Sequence, residues 1–345
     1  MTNNGAAGER THLILAALAT GLVAAALSWL LLPFTHGADF LQFHFHARTW
    51  LEGNNPYAGG FPVMRRTHVV PEPLFYPFPT LLAVAPFALL PVAVALPVFL
   101  GVSTALLAYG VLSRAPNAFP MFFGAGFLVA LVLGQWSPLV TATLLIPGLS
   151  WLAVVKPNIG LAATLAKPTW IGVVGGAGLL LATLLIDPVW PSEWMANLRL
   201  MSPHPAPITL PGGIVALLAL LRWRRFEARL FVAMACVPQL MYFADQLPLW
   251  LVPRTRREST FLSASSLVAW TSALIITIRT GGQPAFDSFP YVLLGVYLPA
   301  LVMVLRRPNE GPIPVWLERF VAHSPSWIRG RPAPAHQGSV DVGPG

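Results

Sequence analysis

From Leu13 to Leu32 the chain reads LILAALATGLVAAALSWLLL, a run in which only Thr20 and Ser28 carry polar side chains. At 1.5 Å of rise per residue such a helix is about 30 Å long, the thickness of a bilayer's hydrocarbon core. Arg10 precedes it, and the run is longer than the apolar centre of a secretory leader, so it reads as an uncleaved first membrane helix. Further apolar segments follow at about 74–90, 92–112, 118–134, 137–154, 169–186, 260–278 and 289–305. Shorter pieces fall at about 158–166, 211–222, 229–239 and 240–252. None of these four is long enough to span alone, and half-length helices are tolerated at membrane depth only where protein or water covers their ends. The expected fold is therefore all-α: a polytopic bundle of about 10–12 membrane segments, some half-length, around an internal cavity.

Composition agrees with that reading. Of 345 residues 55% are hydrophobic and 10% charged, with a mean hydropathy of +0.66. Soluble domains carry about a quarter charged residues, so a soluble fold is excluded. The net charge of +8 is nearly all arginine, since Lys156 and Lys167 are the lysines of the chain. Arginine near span ends suits lipid phosphates and sets orientation, and basicity here does not imply nucleic acid as a partner. The single cysteine, Cys236, lies in an apolar run and reads as a small buried hydrophobe.

Three short connections concentrate arginine: Arg222, Arg224, Arg225 and Arg229; Arg254, Arg256 and Arg257; Arg306 and Arg307. The positive-inside rule puts them in the cytoplasm together with both termini, and puts the loops at about 36–73 and 187–210 outside. Arg65, Arg66, Lys156 and Arg199 then stand against the trend, either as tolerated exceptions or as the cations of an external anionic site. Residues 1–305 form the membrane domain. The tail 306–345 is Pro/Gly-rich with an amphipathic patch around Val315, Trp316, Phe320 and Val321, and is expected to be cytoplasmic and largely disordered.

With this topology the external acids are Asp39, Glu52, Glu72, Asp187, Glu193 and Asp287, with Asp245 inside an apolar stretch. Asp39 begins a helix directly after the first span, where it can act as an N-cap or as a base held near the bilayer surface. At helical spacing Asp39, Phe43, His46 and Trp50 share one face, which brings a carboxylate and an imidazole toward one site. His44 and His46 diverge, no Asp-x-Asp pair is present, and no metal is expected. Asn55-Pro56-Tyr57 forms a rigid turn, and Phe75-Tyr76-Pro77 leads into the next helix. Trp50, Tyr57 and Tyr76 suit either interfacial anchoring or stacking on a sugar. Gln135 between apolar runs and Lys156 at the end of another are costly in lipid, so both should face protein or cavity.

In order along the chain, Asp39-Phe40, Gly53 with Asn55-Pro56-Tyr57, Phe75-Tyr76-Pro77, the run from Ala85-Pro86 to Leu90-Pro91, Gly134-Gln135 and Lys156-Pro157 resemble the pattern of glycosyltransferase family 87. This is the DUF2029 group of GT-C-fold enzymes, which are similar to polyprenol-phosphate-mannose-dependent α-mannosyltransferases. The resemblance covers about 39–157, and the region after about 200 carries none of its motifs. It implies a GT-C-like enzyme in a bacterial plasma membrane that moves mannose or a similar sugar, with inversion, from a polyprenyl-phosphate donor to a lipid or glycan acceptor on the external face. No further cofactor is implied, and membrane lipids are the other partners. By position in the pattern Asp39 is the general base. Arg65, Arg66, Lys156 and Arg199, with His46 and His204 as weaker candidates, would meet the donor phosphate, and Gln135, Tyr57 and Tyr76 would line the substrate. A lipid or solute transporter, or a non-catalytic membrane subunit, is the alternative.

Overall fold

A computed structural model of the chain describes residues 3–35, 38–65, 68–201, 204–282 and 288–312. Arg66, Asp287 and the predicted amphipathic tail patch lie outside these residues, and for Arg65 the backbone alone is described. The chain is 76% helix and 2% strand. Its α-helices among the described residues are α1 (Asn3–Thr35), α2 (Ala38–Leu51), α3 (Phe78–Ala88), α4 (Val92–Arg114), α5 (Ala125–Leu133), α6 (Ser137–Leu145), α7 (Pro157–Ala166), α8 (Trp170–Ile186), α9 (Trp190–Leu198), α10 (Phe226–Cys236), α11 (Arg256–Thr280) and α12 (Phe289–Leu305). A π-helical turn at Leu293–Tyr297 interrupts the last of them. One antiparallel hairpin, β1 (Phe61–Arg65) with β2 (His68–Glu72), pairs Phe61 with Glu72 and Arg65 with His68 inside the loop expected at 36–73.

Among the described residues three helices are long and apolar enough to cross a membrane: Gly8–Phe34 within α1, α4 and α11. Two bent pairs, Pro116–Phe123 with α5 and α8 with α9, bring the number to five if each is one span. Of the expected ten to twelve segments, some half-length, these three to five are the full-length ones, and Phe78–Ala88, Gly213–Arg222 and Phe289–Leu305 are shorter apolar helices. The apolar runs are there, but proline opens several of them, and several fold as short 3-10 pieces (Pro116–Phe123, Pro147–Val155, Gly213–Arg222, Leu247–Leu251). A proline ring removes an N–H and ends a helix that arrives from its N-terminal side.

The longest packing seam joins α1 and α4. A Cβ on Gly21 would stand 2.5 Å from the Gly101 carbonyl oxygen, and Gly21 also faces Ala105 while Gly101 faces Ala25, so the helices run antiparallel through small residues. Close approach of backbones is how helices associate where burial of apolar surface gives no driving force. The outer side of α1 exposes Leu15, Leu18, Leu22, Val23, Trp29 and Leu30, an apolar face fit for lipid. Cys236, expected to be buried, is exposed at the last position of α10; an apolar run can place it toward lipid as readily as toward a core.

The three arginine connections converge at the end of the bundle opposite the start of α4. Glu227 accepts from Arg254 Nε at 2.5 Å and lies 3.5 Å from Arg225 and 3.4 Å from Arg307, and Arg307 also bonds Glu258 at 2.6 Å. Glu258 closes a capping box with Thr255 at the start of α11. Arg222 donates to the Leu305 carbonyl and Arg229 to that of Ala166, which ties the 3-10 piece Gly213–Arg222 to α12 and α10 to α7.

Candidate functional site

Asp39 lies in the first turn of α2, just beyond the span that ends at Phe34. The helix is pinned by its inward residues. Phe40, Phe43 and Ala47 are fully buried, Phe43 meets Tyr76, Phe99 and Trp136, Gln42 donates to the Pro73 carbonyl and His44 bonds that of Leu90 at 3.0 Å. At the end of α5 the chain turns sharply through Gly134, whose φ of 70° suits glycine and disfavours residues with a Cβ. A Cβ there would stand 2.6 Å from that of Phe40. This close approach delivers Gln135 to Asp39, and the Gln135 amide nitrogen donates to Asp39 Oδ2.

From Gln135 a polar chain continues inward. Lys156 Nζ donates to Gln135 Oε1 at 2.6 Å and to Asp245 Oδ1 at 2.6 Å. The second oxygen of Asp245 accepts from Asn158 Nδ2 at 3.2 Å and from the Leu240 backbone N–H at 2.9 Å. The lysine and aspartate side chains keep 7% and 1% of their surface exposed, so this is an ion pair inside the bundle. Lys156 is placed by the junction between the 3-10 piece ending at Val155 and α7, and Thr80 of α3 locks that junction by donating to the Val155 carbonyl. Asp245 sits in a tight turn after α10. Phe243, buried, holds a left-handed φ of 67° there, and Gln246 bonds both Gln239 and the Leu240 carbonyl across the turn. Backbone strain of this kind costs about 1–3 kcal/mol and persists only where the surroundings impose it.

Two loops roof the chain. Asn55 accepts from the Tyr57 N–H at 2.8 Å and donates to Glu193 of α9 at 2.7 Å. Trp194 Nε1 donates to the Phe75 carbonyl, and Asn197 reaches those of Tyr57 and Leu74. The loops expected at 36–73 and 187–210 thus meet through α9. The Tyr57 hydroxyl donates to the Tyr76 carbonyl, and the Tyr76 phenol lies within electrostatic reach of Asp39, Asp245 and Glu72.

Burial pushes the Asp39 carboxyl up to about 6, even though the residue keeps some exposed surface; Lys156 opposes that rise while Asp245 and Glu72 add to it. Burial also pushes the His46 imidazole down to about 4 despite the nearby carbonyls of Pro56 and Glu72, and it lowers His44.

Of the residues singled out by sequence, the fold brings together Asp39, Gln135, Lys156 and Tyr76. His46 shares a helix face with Asp39, yet its ring turns toward the loop carbonyls and is neutral at neutral pH, so it cannot serve as a cation for phosphate. Tyr57 is buried as a strut, which leaves its ring closed to stacking. Lys156 meets Asp245 and Gln135 inside the bundle, so it does not stand in an external phosphate site. Arg199 is exposed at the end of α9, and His204 is half-buried beyond it. Asp245 and Asn158 complete the chain. An acid inside an apolar run and an asparagine after Lys156-Pro157 were their signals, but nothing in the sequence pairs them. Among the described residues no group of three or more His, Cys, Asp or Glu side chains is arranged to hold a metal.

The close approach at Gly134 yields a direct expectation. Gly134→Ala should cost about 1–3 kcal/mol from the left-handed backbone, with the clash against Phe40 in addition, and should separate Gln135 from Asp39. A thermal unfolding midpoint equal to that of the unaltered protein in the same detergent would contradict this.

No family model, no curated protein and no solved structure matches this chain.

Proposed function

We propose that the protein is a GT-C-like membrane glycosyltransferase that passes a sugar, mannose or a similar hexose, from a polyprenyl-phosphate donor to a lipid or glycan acceptor on the external face of a bacterial plasma membrane. The observation that carries this reading is the Asp39 carboxylate: it stands where the first span ends, one oxygen is held by the Gln135 amide, and its proton affinity lies near neutrality. A base with a pKa close to the working pH is both deprotonated and able to take up a proton. In the proposed step the acceptor hydroxyl oxygen attacks the anomeric carbon and its proton passes to Asp39. The bond from that carbon to the phosphate oxygen breaks on the opposite face, which inverts the centre and releases polyprenyl phosphate. Arg199, exposed at the end of α9 on the roof, is the described cation available to the leaving phosphate. Tyr76, beside Asp39, would orient the acceptor.

A second reading draws on the buried Lys156–Asp245 pair, since charges inside a bundle also mark the path of a transported solute. Purified protein in liposomes, incubated with radiolabelled polyprenyl-phosphate sugars and a membrane extract, separates the two. Label should move to an acceptor with the wild-type chain and not with Asp39→Asn. Uptake of solute without transfer from any donor would establish the transporter and overturn the transferase.

A further inference from the structure

We propose that Asp245 is a positioning residue for Asp39, acting across the bundle through Lys156 and Gln135. The chemistry of the chain sets its direction. An ammonium group has only hydrogens to offer, so the end of the Gln135 amide that meets Lys156 must be its oxygen, and the end that meets Asp39 must be its nitrogen. Lys156 in turn is held by Asp245, whose other oxygen is anchored by Asn158 and the Leu240 N–H in a turn rigid enough to keep Phe243 in a left-handed conformation. Asp245 thereby fixes which face Gln135 shows to the base. One Asp39 oxygen, Oδ2, is clamped by an N–H, and the acceptor hydroxyl would approach the other. If the lysine is lost the amide can turn its carbonyl toward Asp39, which only a protonated carboxyl could meet.

Among the described residues the groups facing Asp39 are few. Lys156, Asp245 and Glu72 act on it by charge, with the Tyr76 phenol alongside. The neighbouring helices α3 and α5 carry no titratable side chain, and those of α4 are Tyr109 and Arg114 in its second half. On α2 itself His44 is engaged with Leu90 and His46 faces the loop carbonyls. Removing either member of the ion pair must therefore move the proton affinity of Asp39, and in opposite senses. Without the Asp245 charge, Lys156 acts on Asp39 uncompensated and the proton is released at lower pH. Without Lys156, the Asp245 charge is unopposed and the proton is held to higher pH.

The kinetic meaning of this rests on Asp39 being the base, whereas the positioning itself can be read without any donor. Infrared titration of the protein in liposomes follows the carboxyl C=O band of Asp39, assigned by its absence in Asp39→Asn. Relative to wild type, Asp245→Asn should lower the midpoint by about one pH unit and Lys156→Met should raise it by about one or more, while Lys156→Met/Asp245→Asn should stay above wild type, because the two charges cancel but the amide is free to turn; a double variant at the wild-type midpoint would mean that charge alone couples the groups and would overturn the positioning. If transfer is detected, the acid limb of its pH profile should follow the same three shifts. A midpoint unchanged across the variants, or moved the same way by both single changes, overturns the proposal. Should Lys156→Met fail to fold, Asp245→Asn and the double variant still decide it. Absence of transfer alongside the expected infrared shifts counts against the transferase and not against the positioning.

Discussion

Asp39→Asn is expected to lower glycosyl transfer by about 10²- to 10⁴-fold, the range associated with losing a general base. Asparagine keeps the shape of the side chain and can still meet Gln135, so the loss should fall on the chemical step and leave donor binding intact. The wild-type rate should climb as pH rises through about 6, where Asp39 loses its proton, and level off above it; the residual rate of the variant should show no such step. Stability runs the other way. A carboxyl whose pKa rises from 3.8 to about 6 on folding holds its proton more tightly in the folded chain. Its contribution therefore favours folding fully below about pH 4 and is lost as pH rises through about 6. At pH 7.5 the Asn variant should unfold at a temperature no lower than wild type. A variant both inactive and markedly less stable at neutral pH would point to a structural role for Asp39 instead.

The second large effect concerns the ion pair. Lys156→Met should destabilise the protein by about 3–5 kcal/mol, because it leaves the Asp245 carboxylate in the bundle without its cation. Most of that loss should be regained in Lys156→Met/Asp245→Asn, where the remaining amide can still accept from Leu240 N–H and pair with Asn158. A reversible denaturant titration in mixed micelles, run as a double-mutant cycle, measures the coupling. Additive losses in the cycle would mean that the two residues act separately. The asymmetry matters for any attempt to redesign the site: the pair as a unit contributes little net stability, while either half alone is a liability.

Much of the site was legible because burying a polar group in an apolar chain is expensive. That reasoning singles out Gln135 and Lys156, whereas the position of Asp39 after a span suits an N-cap as well as a base, and the family resemblance is what makes it the proposed base. Asp245 was visible as an isolated acid in an apolar run, but its partnership with Lys156 joins parts of the chain far apart in sequence through a strained turn at Phe243, and no local pattern announces such a turn. His46 was misread for a related reason. Helical spacing places it on the face of Asp39, yet what the ring meets is decided by loop carbonyls at Pro56 and Glu72. The fold class came from composition and period. The number of long helices did not, because hydropathy alone cannot tell a straight helix from a run that proline divides at positions such as Pro116 and Pro147.

The charges of Lys156 and Asp245 cancel within a single hydrogen bond, so an electric field across the membrane exerts almost no net pull on that pair. The one charge that changes is the proton on Asp39, which sits where the first span ends. Moving an elementary charge through a full 100 mV is worth about 2.3 kcal/mol, and a tenth of that drop only about 0.2 kcal/mol. The proposed base at this depth would work almost independently of whether the membrane is energised, so the proposed reaction would keep the same rate in growth and in starvation.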